Sequence, residues 1–275
     1  MTGLQDLGEG VWVSQTPLWQ TNAVFVSAGS DALLCDPCYT PDEIERLVAL
    51  ARETGGPIYL LLTHGDFDHV CGIGYVSEAV VVAGAATAER IEGGTAADQL
   101  VAAGVEWGVE WPTAELRVDR VVEPGLLECG AFQVEAIEAT GHTVDGLAYV
   151  LIEQGVLLPG DYLSDMTYPF IGGGLAATIA TVRRLLDALE RHDLRWVVPG
   201  HGRPLTPEEA AAVGTSDLEY LEDLARAVGE AAADGLEAGR ALLHVFAVEP
   251  PRETTPDFEI YAIRSANARS VLAHA

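Results

Sequence analysis

Residues 58–72 read IYLLLTHGDFDHVCG. The stretch opens on a continuous apolar run, Ile58-Tyr59-Leu60-Leu61-Leu62, the pattern of a strand covered on both faces. Such a strand ends where His64-Gly65-Asp66-Phe67-Asp68-His69 begins, and four of those six residues are metal-ligand types. In open α/β sheets, ligands gather at the carboxyl ends of strands. Carboxylates and imidazoles crowded together are costly unless a cation neutralises them.

Three later segments repeat the device. Ala136-Ile137-Glu138-Ala139 runs into Thr140-Gly141-His142. Val156-Leu157-Leu158 runs into Pro159-Gly160-Asp161. Trp196-Val197-Val198 runs into Pro199-Gly200-His201-Gly202. Each time an apolar strand stops, a glycine permits a turn, and one ligand-type side chain follows. The four strand ends offer His64, Asp66, Asp68, His69, His142, Asp161 and His201. The other three histidines, His192, His244 and His274, lack this context and read as surface or packing residues.

The order HxDxDH, GH, GD, GHG resembles that of the metallo-β-lactamase-fold superfamily, over roughly residues 10–203. The resemblance implies an α/β fold, a four-layer αββα sandwich of two mixed sheets with metals at one edge. It implies a first metal held by His64, position 66 and His142. A second is held by Asp68, His69 and His201, with Asp161 bridging the two. The family pattern is usually HxHxDH, so Asp66 replaces a histidine. Carboxylates stand there in some branches, Asp in DNA-uptake domains and Glu in diiron flavoproteins. The resemblance further implies a metallo-β-lactamase-like domain over 1–203 and a helical extension of it over 204–275, of the kind that closes a pocket or forms a homodimer.

The chain has 275 residues, enough for one large core. No apolar run approaches membrane-spanning length, and the start MTGLQDLGEG has no signal-peptide pattern. These features predict a cytoplasmic protein with no membrane partner. Forty-two acidic residues face 15 basic ones, all arginine, for a net charge of −27. Such a surface repels phosphate backbones and draws in cations, which argues for a small-molecule substrate over nucleic acid. Cys35-Asp-Pro-Cys38 has C-x-x-C spacing without a second pair or a strand-to-helix context. Cys71 follows the ligand cluster and reads as a packed thiol.

Strands are expected at Val11-Trp12-Val13, Ala23-Val24-Phe25-Val26, Ala32-Leu33-Leu34 and residues 79–83. Helices are expected from Pro41 through Glu53, from near Val70, up to Glu92, from Leu175 and over 207–233. Residues 117–160 read as a run of strands building the second sheet. Trp107 and Trp111, four apart, suit one helical face, as a packing cover or as a pocket wall. Tyr162, Met166, Tyr168 and Phe170 follow Asp161 and are candidates for a substrate pocket.

Two metals about 3.5–4 Å apart can share a bridging hydroxide and polarise a substrate oxygen. The implied reaction is hydrolysis of a small ester, thioester or lactone, with Asp68 as ligand and proton shuttle. Zinc is the expected metal. Asp66, a harder donor than imidazole, admits iron or manganese, and its short side chain admits a water-mediated reach. An iron oxidoreductase, diiron or mononuclear, and a non-catalytic metal sensor are the alternative readings.

Overall fold

The structure is a computed structural model describing residues 4–37, 39–252 and 257–273, the last segment with side chains from residue 262. Cys38 and His274 lie outside the described residues. The first sheet runs β1 (Leu4–Gly8), β2 (Val11–Gln15), β3 (Asn22–Ala28), β4 (Asp31–Cys35), β5 (Ile58–Leu61), β6 (Val80–Gly84) and β7 (Arg120–Val122), in that spatial order. Its first three pairings are antiparallel and the next three parallel. The second sheet comprises β8 (Gly125–Cys129), β9 (Phe132–Glu138), β10 (Leu147–Leu151), β11 (Val156–Leu158) and β12 (Trp196–Val197).

Successive strand residues point to opposite faces, and both faces are apolar. Leu33, Cys35, Leu61 and Val82 meet Val134, Ala136, Tyr149 and Leu151 in a core between the sheets. The intervening residues Ala32, Leu34, Leu60 and Val81 turn outward into a second core. Helix α1 (Pro41–Glu53) covers that core, with α2 (Phe67–Val70), α3 (Ala85–Glu92) and α4 (Thr95–Trp107). On the other sheet, Ala148 and Val150 face a third core under α5 (Leu175–Arg191) and α6 (Pro207–Ala233). The layers are therefore αββα. A one-residue slip of any central strand would exchange its two faces, so the packing fixes register.

Several expectations change in detail. β7 pairs in parallel with β6, so the first sheet takes residues 120–122 and only β8 to β11 of the 117–160 run build the second. A helical return after β6 delivers the chain alongside that strand, the usual result of a crossover connection. The helix expected near Val70 already occupies 67–70. Trp107 and Trp111 do not share a helical face, because α4 ends at Gly108 in the left-handed conformation. Trp111 is buried and its indole N–H donates to the Tyr39 carbonyl at 2.9 Å. The buried stripe of α5 centres on Thr178, Val182 and Leu185, and that of α6 on Ala210, Tyr220 and Leu224.

Helices α7 (Ala238–Phe246) and α8 (Asp257–Ala273) pack on α6, and Val245, Ala268 and Val271 join the third core. Among the described residues no helix is long and apolar enough to cross a membrane. Asn267 is fully buried and clamps the loop between β11 and α5. Its Oδ1 accepts from Ile171 N at 2.8 Å, and its Nδ2 donates to Pro169 O at 2.8 Å. Asn267→Ala should leave both backbone groups unpaired and cost about 2 kcal/mol or more, roughly 4–8 °C in Tm. Thermal unfolding followed by circular dichroism checks this; an unchanged Tm would mean that α8 does not hold the loop.

Candidate metal centre

The four sequence-derived strand ends meet at one edge of the sandwich. His64 follows β5, Asp68 and His69 lie on the single turn of α2, and His142, Asp161 and His201 follow β9, β11 and β12. Their donor atoms form two outer sets, His64 with Asp66 and His142, and Asp68 with His69 and His201, joined by a third of His64, His69 and Asp161. In the first, Asp66 Oδ2 lies 3.5 Å from His64 Nε2 and 3.4 Å from His142 Nε2. In the second, Asp68 Oδ2 lies 3.8 Å from His69 Nε2 and 3.4 Å from His201 Nε2. Asp161 stands between them, 3.1 Å from His142 Nε2, 3.2 Å from His69 Nε2 and 3.4 Å from His201 Nε2. Donors about 2.0–2.1 Å from a tetrahedral ion sit roughly 3.4 Å apart, so these separations fit an ion at each set.

The protonation pattern fits too. Thr63 Oγ1 donates its one proton to Asp36 Oδ2 at 2.6 Å, so toward His64 Nδ1, 3.0 Å away, it can only accept. His69 Nδ1 lies 2.9 Å from Asp36 Oδ2. His201 Nδ1 faces the Trp19 carbonyl at 3.1 Å. These acceptors place the proton of His64, His69 and His201 on Nδ1 and leave Nε2 a free lone pair, the arrangement that orients histidine toward a metal. The Nε2 atoms of His64, His69 and His142 and Asp161 Oδ1 are buried without a hydrogen-bond partner. Burial opposes ionisation of Asp161, yet His201, His69 and His142 hold its carboxyl well below the usual range. Burial likewise pushes His142 and His201 down, but Asp161 leads the carboxylates that bring both above the ordinary histidine value. The cluster demands positive charge.

Asp66 reaches the first set directly. Its Oδ1 pairs with Arg90 while Oδ2 faces the two imidazoles. Arg90 also donates to Asp145 Oδ1 at 3.2 Å and Gln99 Oε1 at 2.8 Å, and Asp145 Oδ2 accepts from Gly65 N at 2.8 Å. The guanidinium therefore fixes which carboxylate oxygen turns toward the site. Sequence reading missed Asp36, Thr63, Trp19, Arg90 and Asp145. Asp36 had a signal, since it ends β4 as the other donors end their strands; Arg90, a helical arginine, had none. Asp36 and Trp19 adopt left-handed φ values of 46° and 52°, and such backbone strain is concentrated at functional sites.

Asp66, Asp68, His142, Asp161 and His201 open onto a cleft of about 550 Å³. Tyr168, Phe170 and Met166 line it, and so does Trp107, which also packs edge-on against Trp19. Tyr162 does not line it. Its hydroxyl is turned inward, accepting from His142 N at 2.7 Å and donating to Thr140 O at 3.0 Å, so it braces the His142 turn. Cys71 is buried and outside the cleft, and burial pushes its thiol up. His192 and His244 pair with Glu135 and Glu230 away from the site.

Two glycines are set by close approach. A Cβ on Gly141, at φ +126°, would lie 2.5 Å from the Thr178 backbone of α5. A Cβ on Gly200 would lie 2.3 Å from Asp161 Oδ1 and 3.0 Å from His69 Cε1. Gly200→Ala should therefore displace a donor and weaken metal binding about 10–100-fold, measured by competition with a chromophoric chelator. Wild-type affinity in that variant would remove Asp161 from the ligand set.

A family model described as the metallo-beta-lactamase superfamily matches residues 16–201. The probable metallo-hydrolase YqgX of Bacillus subtilis (strain 168) is 28% identical over 189 residues, 66% of this chain and 85% of its own length. Among solved structures, TTHA1623 in a di-iron-bound form is 28% identical, with a TM-score of 0.57 over 73% of this chain and 97% of that one. The metallo-beta-lactamase from Pontibacter korlensis shares the fold, with a TM-score of 0.59 at 19% identity over 80% of this chain and 99% of that one. Fold, donor geometry and sequence agree: the chain belongs to the metallo-beta-lactamase superfamily and is an enzyme of the hydrolase class on that fold.

Proposed function

We propose that this chain hydrolyses a small ester, thioester or lactone with the help of two divalent ions. One would be held by His64, Asp66, His142 and Asp161, the other by Asp68, His69, His201 and Asp161. The observation that carries the reading is the set of buried Nε2 atoms that face carboxylates without hydrogen bonds. Two bound ions supply Lewis acidity toward a substrate oxygen and a water acidic enough to attack near neutral pH. The protein does the rest. Asp36 and Thr63 orient His69 and His64, Trp19 orients His201, and Tyr162 braces the His142 turn. Asp68 lines the cleft, where a leaving group would sit, and is placed to pass it a proton. Cys35, Cys71 and Cys129 are buried, and the cleft wall holds no serine or cysteine among the described residues, so a covalent acyl route has no candidate thiol. The net charge of −27 favours a small-molecule substrate over nucleic acid.

Asp68→Asn, brought to full metal occupancy, keeps a donor oxygen and removes the proton acceptor. Turnover should fall about 10²–10⁴-fold. Turnover near wild type at equal metal content would leave Asp68 a ligand only.

Zinc suits the four-donor sets, and a specific observation favours iron as well. With Asp66 in place, each set counts two imidazoles and two carboxylates including the shared Asp161. Carboxylate donors suit iron, and TTHA1623 was solved with two irons. An iron oxidoreductase is therefore the second reading. An oxygen electrode separates the two: dioxygen consumed in step with product would replace hydrolysis, and product formed at full rate without oxygen would retain it.

A further inference from the structure

We infer that the cleft selects uncharged substrates bearing an apolar chain or ring and discriminates against anionic ones; this rests on the hydrolytic reading and names its substrate class. The first observation is the wall. Trp19 packs edge-on against Trp107 with ring centroids 5.7 Å apart, and against Phe67 at 6.1 Å. The same indole stands 6.5 Å from the His201 ring. Phe170 stands 5.7 Å from the His142 ring. Each donor set is thus flanked by an aromatic surface, and Ile263 of α8 extends it. A volume of about 550 Å³ falls within the range of pockets that enclose a drug-sized ligand.

The second observation is independent of the first and concerns charge. All 15 basic residues are arginines, every one lies among the described residues, and none lines the cleft. Arg90, behind Asp66, is held by Asp66, Asp145 and Gln99. Arg203 is held by Asp165 and Glu209, and Arg264 by the Phe246 carbonyl and Glu249. A substrate carboxylate or phosphate would find no guanidinium for the paired hydrogen bonds that recognise such groups. The ions themselves offer little attraction at a distance. Asp36, Asp66, Asp68 and Asp161 match the charge of two divalent ions, and Asp145 matches Arg90. Among the described residues the charged side chain left on the wall is Glu106, exposed beside Trp107. Its field and the net charge of −27 repel an anion at the entrance.

The test uses the metal-loaded full chain and two esters of equal length and identical leaving group, 4-nitrophenyl hexanoate and mono-4-nitrophenyl adipate. kcat/KM should be about 10²-fold higher for the hexanoate, the scale at which a pocket lacking a partner discriminates. Glu106→Gln should narrow the gap by improving the adipate. Binding is read separately, from quenching of tryptophan fluorescence by hexananilide and by adipic acid monoanilide, amides of the same shapes. Hexananilide should quench at the lower concentration, and Trp107→Ala should weaken it. Preferential binding of hexananilide without turnover of either ester would retain the substrate class and sink the hydrolytic reading. Equal or better use of the adipate, tighter binding of the monoanilide, or binding of neither anilide would overturn the inference.

Discussion

Buried negative charge at the meeting point of two sheets is the constraint on which the site depends. Asp36 and Asp68 are almost entirely buried, and Asp66 and Asp161 are partly so, all beside imidazoles, of which His64, His69 and His142 have a buried Nε2 without a hydrogen-bond partner. Burying a carboxylate without a countercharge costs several kcal/mol. Folding therefore has to bring compensation with the carboxylates, and it does so through fixed donors. Thr63 N and Oγ1 both donate to Asp36, Gly65 N donates to Asp145, and Arg90 joins Asp145 to Asp66. What these donors leave unmet is directed inward, where two cations fit.

The sandwich makes this possible because both sheets end their strands at the same edge. His64, His142, Asp161 and His201 follow buried strands within a few residues, and Asp68 and His69 sit on the turn of α2 after β5, so the cores that fix strand register also fix donor positions. The close approach of Gly200 to Asp161 and His69 shows how little slack remains. The C-terminal helices contribute differently. Among the described residues they add no metal donor, but through Asn267 and Ile263 they hold one side of the cleft. The chemistry thus belongs to the part of the chain matched by the family model, and part of the pocket wall to the residues beyond it.

Much of this was legible in the sequence. An apolar run followed by a glycine and a ligand-type side chain, repeated at four places, marked His64, Asp66, Asp68, His69, His142, Asp161 and His201, and these side chains converge. Helix α1 was legible to the residue, since Pro41 opens it, Glu43 completes a capping box with Thr40, and glycines follow it. Tyr162 was misplaced because proximity in sequence to Asp161 says nothing about which way a side chain turns. Small and polar residues, Thr178, Thr181, Gly214 and Asp217, occupy buried positions on α5 and α6 that apolar spacing cannot flag. Arg90 was invisible because its partner Asp66 lies 24 residues away and only the fold joins them. Charge, in contrast, read in part: the few cations are all arginine, and the fold keeps every one of them off the cleft wall.

The central claim is that seven side chains hold two ions side by side. Anomalous diffraction at the absorption edge of the metal found in the purified protein tests it most directly. The account predicts two anomalous peaks about 3.5–4 Å apart, one bounded by His64, Asp66 and His142, the other by Asp68, His69 and His201, with Asp161 touching both. A single peak, or a pair from which Asp66 or Asp161 stands clear, would contradict it.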